Sequence, residues 1–466
     1  MDSDMINKEK IDRKAKEFEI PQTSVEKDYV FGWILFGIFT GSDLKDVIFL
    51  KGGNALRKGY FENTRFSSDL DFGIPYDVAR EKLLAEVNKV CDFIEQNAGV
   101  KFLKSENKIE EKFSASEAPI PDLKVFELRV YFKDFYGMGD HIKLKIAMDV
   151  TRFDKVLLPL QTVTLIHPYS DATKLNCSIR CMKLEEIIAT KLKCLLQRQH
   201  APDLFDYAYS IKLIGGTLNK REVIESLIKK TIFGRNPHVL KNILKQTPFG
   251  YFESYWIKGI VCAKSVVMDV KEAIDLFLLE LENLFSIYPD NGYHQFAYFG
   301  PELRIPIIEA GRKQTLLKIR YNGAERIVEP YALKYLQRKD GAQREYLYVY
   351  NRIGGSSQPG VRSLVAENFQ SIEITDEQFE PQYSIELSKA GEKPENPYLF
   401  DPNRPAKARV RRTGGGRRSG PKYIYQCGIC GRKFSKVKMA SSLSQHNNKS
   451  GYRCGGRFGI YVTTKL

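Results

Sequence analysis

The stretch from Phe49 to Phe72 constrains this chain most, because it places a glycine turn and an acidic segment close together. Val47 to Leu50 is a short apolar run that predicts a buried strand, and Gly52-Gly53 turns the chain after it. Asn54 is a good N-cap for a helix that opens at Ala55. A strand, a glycine turn and a helix N-terminus direct several backbone N–H groups to one point, which suits a triphosphate.

Two carboxylates follow on a second predicted strand. Apolar residues alternate with Asp69, Asp71 and Gly73 in this segment. Residues two apart in a strand share a face and lie about 6.5 Å apart along the chain. Mg²⁺ prefers oxygen ligands, so Asp69 and Asp71 can hold it together. A glycine pair or an Asp-x-Asp pair alone is more often a loop or a solvated strand face, and it is their combination that indicates a nucleotide and metal site.

The combination resembles a family signature. Lys-Gly-Gly-x-Ala-Leu from Lys51, followed by Arg-Phe-Ser-x-Asp-Leu-Asp-Phe from Arg65, is similar to the signature of the AbiEii/AbiGii abortive-infection toxins. These are nucleotidyltransferases of the polymerase-β-like superfamily. The resemblance covers roughly Val25 to Tyr207 and implies Mg²⁺-dependent transfer of a nucleoside monophosphate from an NTP. The nucleotide contacts that it implies come from Lys51, Gly52, Gly53, Asn54, Arg65 and Ser67, with Asn54 standing where the family usually has Thr or Ser.

The resemblance also implies a third carboxylate for the metal, on a neighbouring strand. Asp149 fits this position, because it lies in the strand-like run Ile142 to Val150 on the face opposite the apolar residues. Asp140 and Asp154 are nearby alternatives. One or two Mg²⁺ ions would then be held by Asp69, Asp71 and Asp149.

A lysine and a further aspartate complete the site that the resemblance implies. Lys191, on an amphipathic helix that ends near Arg198, would contact the nucleotide phosphates, and Asp203 would complete the site. The alternative for Lys191 is an ordinary solvated lysine. Pro202 replaces the arginine that the family has directly before this aspartate.

The predicted fold class is α+β. Residues 1–290 are predicted to form a nucleotidyltransferase domain, with a small mixed sheet and a helical second half from about residue 207. Residues 300–380 contain short β-rich runs separated by turn residues and resemble a WYL domain, which is a small Sm/SH3-like β-barrel. Glu345 occupies the place of the name-giving tryptophan. The WYL resemblance implies ligand or nucleic-acid contact by Arg320, Tyr346 and Arg362.

Positive charge is concentrated at the end of the chain. The formal net charge is +15, and the sixteen Lys and Arg after residue 401, with no Asp or Glu among them, leave residues 1–401 at −1. Residues 384–422 are predicted to be a flexible basic linker, either a solvating tether or a nucleic-acid contact. A polyanion partner is expected to meet this segment. Its candidate contacts are Arg411, Arg412, Arg417 and Arg418.

Residues 423–466 contain four residues with the spacing of zinc ligands. Cys427 and Cys430 form a Cys-x-x-Cys knuckle, His446 follows sixteen residues after Cys430, and Cys454 comes later. Such a Cys₃His set predicts structural Zn²⁺ in a segment too small for a large core. A redox Cys-x-x-Cys pair is the alternative. Basic residues interleave with Tyr425, Phe434, Tyr452 and Phe458, as expected for a nucleic-acid-binding module.

Composition limits where and with what the protein acts. The eight cysteines are mostly scattered, which favours a reducing cytoplasm over a disulfide framework. The longest apolar run is shorter than the roughly 20 residues that span a bilayer, so no membrane segment is predicted. RNA, with tRNA as the favoured acceptor, and a cognate antitoxin protein are the expected partners. A non-catalytic nucleic-acid-binding regulator and nucleotidylation of a protein or small molecule remain alternatives.

Overall fold

A computed structural model describes residues 6–465, with gaps at 114–123, 136–142, 153, 155, 199, 232, 234–236, 289–297, 338–342, 356–357, 384, 386, 388–421, 437–439 and 449–452. The chain divides into two compact units, residues 1–399 and residues 400–466. Three hydrophobic clusters lie in the first unit and a small one lies in the second. Within the described residues, no helix has the length and apolar character needed to cross a membrane.

The first part of unit one is a seven-stranded mixed sheet with helices packed on it. The sheet order is β3-β4-β5-β2-β1-β7-β6, in which β2–β5 and β1–β7 are parallel pairs and the other pairs are antiparallel. The elements are α1 (Lys8–Phe18), α2 (Gln22–Gly41), β1 (Phe49–Lys51), α3 (Gly52–Ala55), β2 (Asp69–Ile74), α4 (Arg80–Ala98), β3 (Lys108–Phe113), β4 (Lys124–Lys133), β5 (Lys143–Arg152), β6 (Gln161–Thr164) and β7 (Ser178–Cys181).

Period-two patterning decides which side of this sheet is core. On β5, Ile146, Met148 and Val150 are buried, whereas the alternate residues are half-buried or exposed. Helix α2 packs against α4, and the same hydrophobic cluster contains both helices and the buried face of β5. The opposite face of the central strands, which carries Asp149, is therefore left available for a site.

The glycine turn differs from the predicted arrangement. The helix begins at Gly52, with Lys51 as its N-cap, and Asn54 lies inside it rather than capping a helix at Ala55. After four residues the helix changes to a π-helical turn, Leu56–Tyr60. Gly52 can begin the helix because its φ of +72° is accessible to glycine without strain.

The second part of unit one is helical, as predicted. A separate hydrophobic cluster joins these helices, and Lys191 and Asp203 lie on the first two of them. The helices are α5 (Leu184–Gln197), α6 (Ala201–Ile214), α7 (Lys220–Lys230), α8 (Pro237–Lys245), α9 (Phe249–Gly259) and α10 (Val270–Phe285).

A helix and a five-stranded antiparallel sheet complete unit one. The sheet order is β11-β10-β9-β8-β12, and register shifts interrupt the β9–β10 and β8–β12 ladders. Within the described residues β11 and β12 are the two edges, so the predicted barrel is not seen as a closed ladder. The elements are α11 (Pro301–Lys313), β8 (Thr315–Tyr321), β9 (Ala324–Gln337), β10 (Gln343–Gly354), β11 (Gly360–Leu364) and β12 (Phe369–Gln378).

Glu345, which occupies the place of the name-giving tryptophan of WYL domains, forms a buried ion pair. Its side chain and that of Arg304 on α11 are fully buried, and Arg304 Nη2 lies 2.6 Å from Glu345 Oε2. The backbone N–H of Phe299 donates to the same oxygen at 3.0 Å. This buried ion pair ties α11 to β10.

The second unit is a small β module. Its strands form a three-stranded sheet, in the order β14-β13-β17, and a two-stranded pair. The strands are β13 (Lys422–Cys427), β14 (Lys433–Lys436), β15 (His446–Asn447), β16 (Arg453–Cys454) and β17 (Gly459–Lys465).

Candidate functional site

The strand register brings the three predicted metal carboxylates to one face of the first sheet. Asp71 on β2 lies directly opposite Asp149 on the parallel neighbour β5, and opposite Lys51 on β1. Residues that lie opposite each other on neighbouring strands share a face, and so does Asp69, two positions before Asp71. All three carboxylates are half-buried. The register therefore places the three predicted metal ligands on one face of the sheet.

The two glycines of the turn leave room for the site's side chains. A Cβ atom on Gly52 would lie 2.2 Å from Asp71 Oδ2. A Cβ atom on Gly53 would lie 2.6 Å from Arg65 Nη2 and 2.9 Å from Ser67 Oγ. Real Cβ atoms do not approach other atoms so closely, so the Asp71 carboxylate packs against bare backbone of the turn. Metal ligands and the start of α3 are thus in direct contact.

The carboxylates repel one another. Burial and the neighbouring Asp69 charge raise the pKa of Asp71 to about 6, and the Lys51 and Lys191 cations offset this only in part. Asp149 adds to the same effect. A divalent cation would relieve this repulsion, and an all-oxygen ligand set is the kind that Mg²⁺ prefers. The residues present therefore fit Mg²⁺.

Asn54 lies behind the turn rather than in the site. Its side chain is fully buried, and its Nδ2 donates to the backbone carbonyl of Asp69. The Asn54 side chain therefore positions the strand that carries Asp69, and its predicted nucleotide contact stays a prediction. Ser67 Oγ lies closer to the site and donates to Asp69 Oδ1 at 3.2 Å.

Lys191 and Asp203 meet in a buried ionic network with Asp206. Lys191 Nζ lies 3.0 Å from Asp203 Oδ1 and 2.7 Å from Asp206 Oδ2. Burial opposes the charge of Lys191, but Asp206 and Asp203 outweigh it and raise the pKa of Lys191 above its usual range. The solvated-lysine alternative is therefore wrong. Lys191 is a buried, charged residue whose ammonium joins two helices.

Two arginines hold the same aspartates from the other side. Arg65 binds Asp206 through Nε and Nη2 at 2.7 and 2.8 Å. Arg198 binds Asp203 through Nε and Nη2 at 2.8 and 3.2 Å. Burial opposes ionisation of Asp203, but Lys191 and Arg198 outweigh it, so the pKa of Asp203 lies well below its usual range. The network stays ionised at neutral pH.

Lys51 is also bound by an aspartate. Its Nζ contacts Asp154 and donates to Thr151 Oγ1 at 3.0 Å. Asp154, an alternative for the third carboxylate, thus pairs with the lysine that precedes the turn, whereas Asp149 faces Asp71. The assignment of Asp149 as the third metal ligand stays a prediction, supported by its register position opposite Asp71.

The comparisons with known proteins agree with this geometry. Residues 33–254, slightly less than half of the chain, match the family model described as nucleotidyl transferase AbiEii toxin, type IV toxin–antitoxin system. This region contains the glycine turn, the three carboxylates and the ionic network. This region is similar to the AbiEii nucleotidyltransferase toxins of type IV toxin–antitoxin systems. The AbiEii part of the resemblance predicted from the sequence is confirmed from residue 33 onward, and the match extends beyond Tyr207 to residue 254 in α9.

The other comparisons add less. Among solved structures, the chain matches MenT4, a nucleotidyltransferase toxin from Mycobacterium tuberculosis H37Rv, at 17% identity and a TM-score of 0.35. The likeness covers 60% of this chain and 98% of that one. A TM-score that low gives no support to a shared function. No curated protein sequence matches the chain.

Sequence reasoning missed three residues around the AbiEii site. Asp206 lies three positions after Asp203, but its partner Arg65 lies 141 positions away. Arg198 was hidden because it lies five positions before Asp203 rather than next to it. Glu127 lies opposite Asp149 on β4 and adds a fourth carboxylate to the row. Only the strand register reveals it, because β4 has no acidic motif of its own.

The three residues predicted from the WYL resemblance do not converge. Arg320 lies opposite Glu325 on β9, and Tyr346 lies opposite Lys334, nine positions further along that strand. This separation corresponds to about 30 Å of extended strand. Arg362 is on the edge strand β11, and its guanidinium donates to two carbonyls of its own loop. They do not form one ligand site in this arrangement.

The four predicted zinc ligands of the second unit lie together. The ligand atoms of Cys427, Cys430, His446 and Cys454 are all within 4.8 Å of one another. Cys427 Sγ and Cys454 Sγ are 3.8 Å apart, and Cys430 Sγ lies 3.4 Å from His446 Nε2. These separations are too long for a disulfide, whose sulfurs are about 2 Å apart. They match a tetrahedral site, for which Zn–S bonds of about 2.3 Å give a spacing near 3.8 Å.

The surroundings of the Cys/His cluster prepare it for a metal. His446 Nδ1 donates to the carbonyl of Ser444 at 2.9 Å, which leaves Nε2 facing the sulfurs. Backbone N–H groups of Cys430 and Ile429 lower the pKa of the Cys427 thiol to about 6. The thiolate is the form that binds metals.

The predicted base-stacking aromatics of this unit are only partly accessible. Tyr425 is buried, and Phe434 packs edge-on against the His446 ring. Phe458 is exposed, beside the exposed Arg457. Tyr452 and the basic residues Arg411, Arg412, Arg417 and Arg418 lie outside the described residues.

Proposed function

We propose that this protein transfers a nucleoside monophosphate from an NTP to RNA, with Mg²⁺ bound by Asp69, Asp71 and Asp149. The observation that carries the proposal is the placement of these carboxylates on one sheet face, against the bare backbone of Gly52. Transfer of nucleotidyl groups is the activity named for the AbiEii family. The Mg²⁺ ion and the RNA acceptor go beyond the activity named for the family.

The residues of the site have separate tasks in this reaction. Backbone N–H groups at Gly52 and Gly53 bind the phosphates at the start of α3. The carboxylates hold Mg²⁺, which when bound supplies charge neutralisation at the reacting phosphate. The Lys191–Asp203–Asp206 network fixes α5 and α6 beside the sheet. Catalysis then consists mainly of positioning and of charge stabilisation.

RNA is the proposed acceptor because of the charge distribution. The AbiEii domain lies within the part of the chain whose net charge is close to zero, and the sixteen excess cations follow residue 401. Such a segment attracts a polyanion by releasing its counterions. The 3′ end of tRNA is the acceptor that the superfamily resemblance suggests.

Zinc is the proposed ligand of Cys427, Cys430, His446 and Cys454. Their spacing, the oriented His446 ring and the lowered pKa of Cys427 support it. Among the described residues of this unit, the hydrophobic cluster has only four buried members, and so small a core needs such a staple. The zinc-stapled module is proposed to contact RNA through its basic surface.

The five-stranded sheet of unit one is proposed to be a WYL-like barrel. Its strand order, with the first and last strands paired and the fourth at the far edge, supports this proposal, as does the 3₁₀ turn between its last two strands. Register shifts in β9, β10 and β12 bend strands in the way that closure requires. The predicted domain limits 1–290, 300–380, 384–422 and 423–466 are retained with it.

The biological role follows from the family description. AbiEii toxins belong to type IV toxin–antitoxin systems, so a cognate antitoxin protein is the proposed partner. Abortive infection, and hence phage defence in the cytoplasm, is the proposed setting. Both parts rest on the family alone.

The decisive experiment incubates the full chain with Mg²⁺, each α-labelled NTP in turn, and total RNA. We expect one NTP to label RNA, and labelling to vanish with Asp71→Asn and on removal of Mg²⁺. Asp275→Asn, a change at an exposed aspartate of α10, is the matched control and should retain full activity. Label on the protein or on a small molecule instead of RNA would favour the alternative acceptors. Absence of label from every acceptor, with folded protein, would favour a non-catalytic binder.

A further inference from the structure

The cations around the candidate nucleotide site differ in exposure. The side chains of Lys191 and Arg65 are 9% and 10% exposed, and that of Lys51 is 22% exposed. Each of these three, which the sequence assigned to the nucleotide, is bound by an aspartate. The side chain of Arg198 is 54% exposed although Asp203 binds it. A triphosphate that enters from solvent therefore meets Arg198 more readily than the buried cations.

The geometry of Arg198 leaves one side of its guanidinium for a ligand. Arg198 is the C-cap of α5, where its N–H bonds the carbonyl of Cys194. Its Nε and Nη2 both donate to the Asp203 carboxylate, which fixes the plane of the group. A guanidinium has five N–H donors in a rigid fork, so among the described residues Nη1 and the outer Nη2 hydrogen remain for another acceptor. Planar fork geometry of this kind matches phosphate oxygens.

Arg198 also lies in the field of the metal carboxylates. Burial opposes its charge, but Cys194, Asp203 and Asp71 outweigh burial and raise the pKa of Arg198. Contacts also connect Arg198 to the glycine turn. Lys191 bridges Asp203 and Asp206, and Asp206 binds Arg65, whose Nη2 packs against Gly53. Asp203 fixes the arginine from behind, because that carboxylate is itself buried and held by Lys191.

We propose that Arg198 binds the β- and γ-phosphates of the NTP and stabilises the departing pyrophosphate. In the transfer, the acceptor oxygen bonds to the α-phosphorus, and the bond from that phosphorus to the bridging oxygen breaks. The electron pair of the broken bond leaves with pyrophosphate, and the acceptor proton goes to solvent. Arg198 neutralises the charge that gathers on the leaving group. This inference rests on the proposed nucleotidyl transfer. Pro202, at the position of the family's arginine, has no side-chain donor and cannot take this role.

Binding measurements on the full chain test this proposal independently of the acceptor. Isothermal titration with Mg²⁺ would use the α,β-methylene analogue of each NTP, inorganic pyrophosphate and the matching nucleoside monophosphate. We expect Arg198→Ala to weaken analogue and pyrophosphate binding about tenfold to a hundredfold, as for the loss of charged hydrogen bonds. Monophosphate binding should stay within about twofold, because that ligand lacks the phosphates that Arg198 contacts.

Two further variants control for structure. Arg198→Lys keeps a charge beside Asp203 but loses the fork, so its affinity should fall between those of wild type and Arg198→Ala. It also decides the question if Arg198→Ala does not fold. Arg221→Ala removes an arginine of α7 that is 81% exposed and pairs with Glu225, and it should bind like wild type.

The outcomes separate this inference from the proposed function. Unchanged triphosphate affinity in both Arg198 variants would overturn the assignment of Arg198 and leave the proposed function standing. An equal loss for monophosphate and triphosphate would assign Arg198 a purely structural role and overturn it as well. Failure of the wild-type chain to bind any analogue or pyrophosphate would refute both.

Discussion

At Gly52 the backbone conformation and the position of a carboxylate depend on each other. The residue has a φ of +72°, and its missing Cβ leaves the space that Asp71 Oδ2 occupies. Gly52→Ala should therefore displace Asp71 and lower the transfer rate by at least about a hundredfold, the scale of losing one electrostatic contact in a transition state. The midpoint of unfolding should fall less than it would on truncation of a buried hydrophobic side chain, because the turn is at the edge of the core.

Gly41→Ala is the matched control for this change. Gly41 is the last residue of α2, is exposed and has open space around its Cα. The substitution should leave the rate unchanged, and helix propensity favours alanine. Equal rates for Gly52→Ala and wild type would contradict the close contact between the turn and Asp71.

Asp28 illustrates a buried charge whose role is structural. Its carboxylate lies 2.7 Å from Arg57 Nε and 2.9 Å from Lys58 Nζ, and Tyr169 donates to it at 2.8 Å. Asp28→Asn would leave two buried cations without their counter-charge. We expect this to cost about 3 kcal/mol of unfolding free energy at pH 7. Urea denaturation followed by fluorescence of Trp33, on the same helix, measures it.

The difference in unfolding free energy between wild type and Asp28→Asn depends on pH in a definite direction. Burial alone would raise the pKa of Asp28, but Arg57 and Lys58 outweigh it and hold the pKa far below its usual range. A depressed folded-state pKa contributes stability above about pH 4, and that stability is lost as the pH falls further. The difference in unfolding free energy between wild type and Asp28→Asn should therefore become smaller below pH 4. Asp275→Asn should show no gap at any pH, and a pH-independent gap for Asp28→Asn would refute the ionic explanation.

For helices and strands, the features that could be predicted are those that depend on neighbouring residues in the sequence. Alternation along β5 indicated which face Asp149 occupies, because side-chain direction in a strand has period two. The helix that carries Lys191 followed from its apolar spacing. Arg198 could not be assigned, because its partner is chosen by the angle at which α6 follows α5. Glu127 likewise depends on strand pairing, which one sequence does not specify.

Errors of prediction in the second half of unit one also have physical causes. Helix α11 contains Pro306 and was not predicted, because proline usually breaks a helix interior. Pro306 is only the sixth residue of this helix, which begins with Pro301 in its first turn. Strand β11, from Gly360 to Leu364, was missed because it is a short edge strand whose alternate residues are exposed.

The C-terminal sheet offers a test of metal dependence for one element. Strands β13 and β16 carry Cys427 and Cys454, so the proposed zinc joins the three-stranded sheet to the two-stranded pair. Full-length protein should contain about one zinc per chain, and Cys427→Ser should lose it. The variant should also lose protection of this sheet against proteolysis while residues 1–399 stay resistant.

Cys262→Ser controls for the loss of a thiol alone. Cys262 is free, half-buried and outside the cluster. Its substitution should retain zinc and protease resistance. Zinc-free wild-type protein with a protected C-terminal sheet would refute the metal staple.

Across the whole molecule, the candidate catalytic carboxylates and the excess cationic charge lie in different parts of the chain. The carboxylates lie within residues 33–254, which match the AbiEii family model, whereas the excess charge follows residue 401, within the second compact unit. This separation predicts that RNA affinity and nucleotide chemistry can be changed independently. A variant that neutralises basic residues after residue 401 should change the dependence of transfer on RNA concentration and leave NTP binding intact.

Replacement of Arg411, Arg412, Arg417 and Arg418 by glutamine tests this separation. Each lost phosphate contact on single-stranded nucleic acid lowers the slope of log affinity against log salt by about 0.7, so four contacts lower it by about 3. Filter binding of labelled tRNA at several salt concentrations measures the slope, and calorimetry with the α,β-methylene NTP analogue should give an unchanged affinity. A matched set of four neutralised cations on α7 and α8, at Arg221, Lys229, Lys241 and Lys245, should leave the slope as in wild type, because acidic residues already pair with each of them. Equal slopes for wild type and the tail variant would show that RNA meets another surface.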